Sequence, residues 1–320
     1  MSRATPLVSV VIPTKDRAAL LSEALASLRA QSLSRWEAIV VDDGSRDGTR
    51  AELERWTERD PRIRAATARA GRQGGNHCRN VGLGLARAEL VCFLDDDDQL
   101  SPACLEARVT VCELWPELDY AVFPRRIFLR APGDTDRTLS ATPARDALES
   151  FLEVLPPWQT GGVVWRKTAL QRLRGWDERL SYFQDWELHV RALARGLRYR
   201  VEDGPYFFFR EWPSGGQSVT GRGRSPAHAR SVALAVETGL TAIGAGCGFT
   251  RRRRRRALRL GSSSLRQLLE LGLREEALAH AAALAGALPW SPISHLLLSH
   301  AGAWVGCPAQ RGALSLLRRC

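Results

Sequence analysis

Short apolar runs alternate with amphipathic stretches in the N-terminal part of the chain. Residues 7–12 (LVSVVI) and 36–41 (WEAIVV) are rich in β-branched side chains, which is typical of strands buried on both faces of a parallel sheet. Between them, residues 18–30 place leucine and alanine at the spacing of an amphipathic helix. This order of strand, helix and strand predicts a βαβ unit with a right-handed parallel crossover.

The hydrophobic pattern predicts further elements as far as residue 220. We expect helices over residues 50–59, 78–87 and 101–115, strands over 63–66, 90–94, 120–123 and 161–166, and a loop over 130–144. The aromatic stretch 206–212 predicts a strand at an edge of the sheet or along the wall of a binding pocket.

The composition changes past residue 221, where Ala, Leu and Arg dominate and β-branched residues are few. Helices are predicted over residues 227–245, 254–271 and 273–288. The chain is therefore expected to hold an α/β domain over residues 1–220 and an all-helical extension over residues 221–320.

Two acidic clusters follow predicted strands directly. Asp42 and Asp43 come after the second strand, and four successive aspartates, Asp95 to Asp98, come after the strand over residues 90–94. Ligands of parallel sheets bind beyond the carboxyl ends of the strands. Adjacent carboxylates repel one another, and a divalent cation such as Mg²⁺ or Mn²⁺ would relieve that repulsion. The alternative at this point is a solvated acidic loop.

A glycine-rich loop over residues 71–76 precedes the third predicted helix. Its glycines do not match the dinucleotide-binding or P-loop spacing, so the sequence excludes those two specific phosphate motifs. Arg72 and Arg79 flank the start of the helix, where anionic oxygens bind favourably. The alternative for each arginine is a solvated surface position.

The net charge of +11 indicates an acidic partner, and much of it comes from six arginines that begin at Arg251 and end at Arg256. Three roles remain open for this run: a solvated helix start, a contact with an anionic membrane surface, and nucleic-acid binding. No aromatic residue interleaves with the arginines, which disfavours nucleic acid.

Seven cysteines without a CxxC pair do not suggest a disulfide framework, so a reducing cytoplasm is the simpler expectation. No apolar signal segment precedes the first strand. Residues 231–250 and 288–307 have about the length of a membrane span, but polar residues or prolines interrupt both of them.

Four motifs in order resemble the family 2 glycosyltransferases, which are inverting enzymes of the GT-A fold. They are VVIPT at residues 10–14, VVDDGSRDGT at 40–49, CRNVG at 78–82 and FLDDDD at 93–98. The resemblance covers residues 6–220. It implies an α/β GT-A nucleotide-diphospho-sugar transferase fold, a Rossmann-like mixed sheet flanked by helices.

The resemblance also implies roles for individual residues. Asp42 or Asp43, with Asp43 favoured, contacts the nucleotide base, and Asp95 and Asp97 form the DxD element that holds ribose and the metal diphosphate. Asp98 is a plausible accessory carboxylate. The metal ligands are then Asp97 and Asp95, with Mn²⁺ or Mg²⁺ as cofactor. The nucleotide-sugar site as a whole is expected to comprise Pro13, Thr14, Asp42, Asp43, Arg72, Arg79, Asn80, Asp95, Asp96 and Arg210.

The second half of the family pattern appears as GWDE at residues 175–178, followed by Gln184 and Asp185. The resemblance implies that Asp185 is the catalytic base, although relatives usually carry Glu before this aspartate. A helix N-cap is the alternative role for Asp185, and both roles can coexist. Relatives often carry Arg-x-His where this chain has Arg210, Glu211 and Trp212, which leaves Arg210 as a diphosphate contact. A glycine-rich loop over 215–218 could close over the nucleotide.

We therefore expect a metal-dependent inverting glycosyltransferase that uses a UDP-, dTDP- or GDP-sugar. The acceptor would be a hydroxyl on a sugar, a lipid-linked saccharide or a protein, in the cytoplasm or at the inner face of the membrane. Two other classes of protein compete with this expectation. A nucleotidyltransferase is disfavoured because residues 13–17 lack glycine. A non-catalytic protein that binds nucleotide sugars or docks on a membrane stays open.

Overall fold

The computed structural model describes residues 5–68, 74–143, 146–212 and 225–288. The chain divides into two compact units. Within the described residues, the first unit holds 5–68, 74–143, 157–178 and 197–212, and the second holds 146–156, 179–196 and 225–288. The second unit thus takes two segments from the earlier part of the chain. The expected boundary between residues 220 and 221 lies outside the described residues.

The elements alternate between strands and helices up to residue 210 and are helical thereafter. In chain order they are β1 (Val8–Thr14), α1 (Ala18–Arg29), β2 (Trp36–Asp42), α2 (Thr49–Arg59), β3 (Ile63–Thr67), α3 (Gly75–Leu85), β4 (Leu90–Phe93), β5 (Gln99–Leu100), α4 (Cys104–Leu114), β6 (Tyr120–Val122), β7 (Arg125–Phe128), β8 (Thr138–Leu139), α5 (Ala147–Leu152), β9 (Val163–Arg166), α6 (Lys167–Leu173), α7 (Gln184–Ala194), β10 (Tyr199–Val201), β11 (Phe207–Arg210), α8 (Pro226–Ala245), α9 (Arg251–Glu270) and α10 (Arg274–Ala287).

A seven-stranded mixed sheet forms the centre of the first unit, in the order β10-β6-β9-β4-β1-β2-β3. Strands β4, β1, β2 and β3 are parallel, and β9 runs antiparallel to both of its neighbours. Every residue of β2 and β4 is buried, as their continuous apolar runs predict. The expected mixed sheet flanked by helices is confirmed.

A second sheet of four strands has the order β5-β11-β7-β8. The aromatic strand β11 pairs with β5 on one side and with β7 on the other, so the expectation of an edge strand is wrong. Its Phe207 ring explains the position. A Cβ atom on Gly161 would lie 2.6 Å from that ring, and one on Gly162 would lie 3.2 Å from it. Because both residues are glycines, the Phe207 ring has room to pack in the core.

Helix α3 packs closely on β1 through Gly82. A Cβ atom at this position would lie 2.3 Å from Cγ1 of Val11. We expect Gly82→Ala to destabilise the fold by about 1–3 kcal/mol, because the added methyl overpacks the core. Gly84 lies on the same helix, and a Cβ atom there would have no neighbour within 4 Å, so Gly84→Ala should be neutral or stabilise by up to about 1 kcal/mol. Urea denaturation of both variants checks the contrast, and equal effects would contradict it.

The second unit consists of helices α5, α7, α8, α9 and α10. Small and branched side chains of the last three form its apolar core, namely Ala229, Ala233, Leu265, Leu268, Ala277 and Ala281. Trp186 of α7 packs against α8, where a Cβ atom on Gly239 would lie 2.7 Å from the indole ring. In the part of the chain that the structure describes, no helix is both long and apolar enough to span a bilayer.

A buried polar contact joins three of these helices. Nδ1 of His280 on α10 lies 2.5 Å from Oε1 of Glu237 on α8. Nε2 of the same ring lies 2.7 Å from Oγ of Ser264 on α9. His280 is 1% exposed, so both ring nitrogens are satisfied without solvent. The sequence pattern predicts the three helices but not this contact.

Candidate functional site

The carboxyl ends of β1, β2 and β4 bring the two acidic clusters of the first unit together. Thr14 and Asp42 are register partners in the β1–β2 ladder, and the backbone N–H of Asp43 donates to the carbonyl of Thr14 at 2.9 Å. The hydroxyl of Thr14 donates to Oδ2 of Asp96 at 2.7 Å. Pro13 lies one residue before, opposite Val41. The end of β1 therefore links the second strand to the acidic loop.

Asp42 and Asp43 have different surroundings. Oδ1 of Asp42 accepts hydrogen bonds from the backbone N–H and the hydroxyl of Ser45, so this carboxylate shapes the turn after β2. Asp43 accepts from the backbone N–H of Gly74 at 3.1 Å and from Nζ of Lys15 at 3.3 Å. The carboxylate of Asp43 is thus held between the loop after β1 and the start of α3.

The four aspartates after β4 alternate in burial. Asp96 and Asp98 are 5% and 3% exposed, whereas Asp95 and Asp97 are partly exposed, with side-chain exposures of 40% and 17%. The two residues expected to hold the metal diphosphate are therefore the two that reach solvent. Asp96 and Asp98 point into the protein.

Arg17 supplies a positive charge between two of these carboxylates. Its Nη1 lies 3.0 Å from Oδ1 of Asp96 and 2.9 Å from Oδ2 of Asp97. Burial alone would lower the pKa of Arg17, but the two aspartates raise it above its usual value. Burial raises the pKa of Asp96 to about 6, although the charge of Arg17 acts in the opposite direction. Because both oxygens of Asp96 accept from protein groups, its contact with a nucleotide sugar stays a prediction.

Arg79 pairs with the first aspartate of the acidic loop. Its Nη2 donates to Oδ1 of Asp95 at 2.6 Å, and its guanidinium lies 4.8 Å from the ring centroid of Trp176. Nη1 donates to the side-chain oxygen of Asn76 at 3.2 Å. The next residue, Asn80, is used differently. Its side-chain amide binds both the N–H and the carbonyl of Trp176 at 2.9 Å, which fixes the GWDE segment onto α3.

Arg210 anchors the second sheet to the acidic loop. Its backbone N–H donates to Oδ1 of buried Asp98 at 2.9 Å, and its guanidinium binds the carbonyl of Asp97 and the carboxylate of Glu23. Burial and the charges of Asp97 and Asp95 raise the pKa of Asp98 well above its usual value. Since the guanidinium of Arg210 already has these partners, its predicted contact with a diphosphate stays a prediction.

Trp212 contacts the aspartate that is expected to bind metal. Its indole Nε1 donates to Oδ2 of Asp97 at 3.0 Å, the same oxygen that Arg17 contacts. Trp212 stands at the position where relatives often carry histidine. An indole N–H donates and cannot ligate a metal, so this side chain orients the carboxylate.

A divalent cation fits these residues if the substrate completes its coordination shell. Within residues 5–68, 74–143, 146–212 and 225–288, no group of three or more His, Cys, Asp or Glu side chains forms a metal cage. Mg²⁺ commonly uses one or two carboxylates together with phosphate oxygens and water. Oδ2 of Asp95 and Oδ1 of Asp97 accept no hydrogen bond from the described residues, so one oxygen of each is free for a cation.

Arg72 and the loop over 215–218 lie outside the described residues. Asp185 lies in the second unit, in the first turn of α7, where its Oδ1 accepts from the backbone N–H of Trp186 at 2.8 Å. The helix begins after Phe183, whose φ of 60° is left-handed. Asp185 thus lies in the first turn of α7 but is not its N-cap, which is Phe183, so the alternative role as N-cap is wrong. Its role as catalytic base stays a prediction.

Comparison with known families bears on the residues just described. The sequence profile described as Glycosyl transferase family 2 matches residues 9–135, which include Thr14, Asp43, Arg79 and the four aspartates. Over these residues the chain resembles the family 2 glycosyltransferases.

Curated relatives of this family 2 region are similar over part of their length. The chain is 27% identical over 217 residues to the uncharacterized glycosyltransferase EpsJ of Bacillus subtilis, covering 65% of this chain and 62% of EpsJ. It is 39% identical over 100 residues to the GalNAc(5)-diNAcBac-PP-undecaprenol beta-1,3-glucosyltransferase of Campylobacter jejuni, covering 31% of this chain and 32% of that enzyme. The chain spans less than two thirds of the length of either relative.

Solved structures show the GT-A fold. S. aureus TarS 1–349 in complex with UDP-GlcNAc superposes with a TM-score of 0.67 at 16% identity, covering 93% of this chain and 87% of that one. The mannosyltransferase PcManGT from Pyrobaculum calidifontis, in complex with GDP-Man and Mn²⁺, has a TM-score of 0.56 at 20% identity and coverages of 98% and 85%. The expected GT-A fold is confirmed.

Three side chains in the first unit lie at the site although the sequence pattern does not assign them to it. Lys15 and Arg17 follow β1 directly, at the same edge of the sheet as the aspartates, and the rule that ligands bind beyond strand ends would have included them. Trp212 stands out in the sequence only as a replacement for histidine. Its contact with Asp97 joins residues 115 positions apart, which no local pattern reveals.

Proposed function

We propose that the protein is a metal-dependent inverting glycosyltransferase that transfers a sugar from a nucleotide-diphosphate sugar to a hydroxyl acceptor. The observation that carries the proposal is that buried and partly exposed carboxylates alternate along the acidic loop, Asp95 to Asp98. Buried Asp96 and Asp98 fix the loop, while Asp95 and Asp97, beyond the end of β4, each have one carboxylate oxygen that accepts no hydrogen bond from any described residue. This arrangement suits recognition of a diphosphate through a cation.

The donor half of the site has three parts in this proposal. Asp43, positioned by Gly74 and Lys15, accepts a hydrogen bond from the nucleotide base. Asp95 and Asp97 hold Mg²⁺ or Mn²⁺, which when bound would neutralise the charge that grows on the leaving diphosphate. Arg17 and Trp212 keep the carboxylate of Asp97 in one orientation by binding its Oδ2. A neighbour of the same fold was solved with GDP-Man and Mn²⁺, which supports this assignment.

Asp185 is the proposed base for the acceptor. A hydroxyl must lose its proton as it attacks the anomeric carbon from the face opposite the leaving diphosphate, and a carboxylate is suited to accept that proton. One displacement of this kind inverts the anomeric configuration. Gln184 is neutral where relatives carry an acid, so Asp185 has one negative neighbour fewer and should be a slightly weaker base.

The donor and acceptor classes follow from the relatives. Similar proteins were solved with UDP-GlcNAc and GDP-Man, and the Campylobacter jejuni relative is named for transfer to an undecaprenol-linked saccharide. We propose a UDP-, GDP- or dTDP-sugar donor and a saccharide acceptor in cell-surface polysaccharide or glycoconjugate synthesis. A lipid-linked saccharide is one member of that acceptor class.

Isothermal titration calorimetry with UDP, GDP and dTDP, each with and without Mn²⁺, tests the donor site. We expect one nucleotide to bind, with an affinity about tenfold higher or more in Mn²⁺, because the cation bridges two sets of anionic oxygens. EDTA should abolish the gain. Absence of binding by all three nucleotides would refute the donor site, and equal binding with and without Mn²⁺ would refute the metal.

A further inference from the structure

Positive charge is concentrated near the C-terminal end of the sequence. Residues 251–320 contain twelve arginines and three glutamates, whereas the whole chain has a net charge of +11. Most of the excess charge therefore belongs to this part, and the proposed sugar-transfer chemistry does not use it.

Two arginines of the run beginning at Arg251 have partners inside the second unit. Nη2 of Arg253 lies 3.2 Å from Oδ2 of Asp146, the N-cap residue of α5. Nη1 of Arg256 lies 2.6 Å from Oε2 of Glu149, and its Nε lies 2.7 Å from Oε1 of Glu153. The side chain of Arg256 is 14% exposed. These two residues attach α9 to α5, which explains their place in the run.

The other four arginines have no such role. The side chains of Arg251, Arg252, Arg254 and Arg255 are exposed, and they form no ion pair or hydrogen bond with the described residues. Exposed Arg259 follows one turn later, on the same side of the helix as Arg252 and Arg255. The opposite side of α9 is buried through Ala257, Leu260, Gly261, Ser264, Leu265 and Leu268. We call Arg251, Arg252, Arg254, Arg255 and Arg259 the arginine face.

The position of the arginine face is unfavourable for the isolated helix. A helix N-terminus carries a partial positive charge, so cations in the first turn are repelled by it and by one another. Helix α9 has no acidic residue in its first turn. A negatively charged partner would offset both repulsions, whereas the fold itself gains nothing from these charges.

We propose that the arginine face docks the second unit on an anionic phospholipid surface. The exposed side of α9 carries charge without large apolar side chains, and its apolar side is used in the core, so the contact is electrostatic and not an insertion. No aromatic residue interleaves with these arginines, which disfavours nucleic acid bound through base stacking.

Co-sedimentation with vesicles tests this proposal without any nucleotide sugar. We expect the full chain to sediment with phosphatidylcholine vesicles containing about 30% phosphatidylglycerol, but not with phosphatidylcholine alone. Binding should disappear in about 0.5 M salt, where charges are screened within a few ångströms. Since the assay is independent of sugar transfer, its failure would leave the proposed enzymatic function untouched.

A fourfold variant isolates the arginine face. Replacing Arg251, Arg252, Arg254 and Arg255 by Gln should lower vesicle binding about tenfold or more and leave thermal stability equal or higher, because the repulsion at the helix start is removed. The matched control replaces four exposed arginines of the first unit, Arg29, Arg59, Arg130 and Arg174, by Gln and should bind like the wild type. Wild-type binding by the first variant, equal loss in the control, or tighter binding of the wild type to duplex DNA or RNA would overturn the proposal.

Discussion

Replacing Asp185 by asparagine is expected to lower the rate of sugar transfer by about 10²–10⁴-fold, because an amide cannot accept the proton of the acceptor hydroxyl. Binding of the donor nucleotide with Mn²⁺ should be unchanged, since the proposed donor residues all belong to the first unit and Asp185 to the second. Release of nucleoside diphosphate in the presence of acceptor measures the rate, and calorimetry measures the binding.

The effect of Asp185→Asn on catalysis must be distinguished from an effect on the stability of the first turn of α7. Asp146 begins helix α5 in the second unit, where its Oδ1 accepts from the backbone N–H of Glu149 at 3.0 Å. Asp146→Asn is therefore a matched control, which should retain transfer while changing stability by about 1 kcal/mol or less. Transfer by Asp185→Asn close to the wild-type rate would remove Asp185 as the base and favour a purely structural role at the start of α7.

Replacing Asp97 by asparagine is expected to weaken nucleotide binding in Mn²⁺ by about 100-fold, equivalent to about 3 kcal/mol, and to abolish the advantage of Mn²⁺ over EDTA. The amide retains an oxygen for Arg17 and Trp212 but lacks the charge that holds a cation. The loss should therefore appear in binding and not in the folding of the acidic loop.

An exposed aspartate of the same unit provides the control for Asp97. The side chain of Asp136 is fully exposed and forms a surface ion pair with Arg126 at 3.1 Å. Asp136→Asn should bind nucleotide and Mn²⁺ like the wild type. A wild-type response to Mn²⁺ in Asp97→Asn would assign the cation to other residues.

Much of the first unit could be predicted because its signals are local. Buried parallel strands appear as continuous apolar runs, and the ends of those strands place Asp43 and Asp95 at one edge of the sheet. The motifs added the resemblance to the family 2 glycosyltransferases and hence the expectation of a mixed sheet, but only the structure shows that β9 runs antiparallel to its neighbours. The helices after residue 225 also follow from the pattern, within a few residues of their observed bounds.

The rest depends on contacts between residues far apart in the sequence. Repulsion among the four aspartates suggests a cation, and the structure places the protein's own Arg17 and Arg79 beside them. The pairing of Arg17 with Asp96 spans 79 positions, so no periodicity indicates it. The interior position of β11 depends on the space left by Gly161 and Gly162, and the contact among Ser264, His280 and Glu237 depends on how three helices pack.

These arginine contacts change the expected role of the acidic loop. Asp96 and Asp98 are buried and bound by Thr14, Arg17 and the backbone of Arg210, so they fix the loop to β1 and β11, and the contact of Asp96 with a nucleotide sugar stays a prediction. Asp95 and Asp97 each give one oxygen to the protein, and the other oxygen of each accepts no hydrogen bond from the residues that the structure describes. The loop thus divides into two anchoring carboxylates and two that we propose bind ligand, a distinction that four identical residues in a sequence do not show.

Calorimetric titration of Asp97→Asn and Asp185→Asn side by side, with the nucleotide that the wild type binds and with Mn²⁺, tests the central claim most directly. We predict that Asp97→Asn loses about 100-fold in affinity while Asp185→Asn binds like the wild type but no longer transfers sugar. Equal affinity in both variants, or full transfer by Asp185→Asn, would contradict the assignment of leaving-group binding and proton removal to separate aspartates.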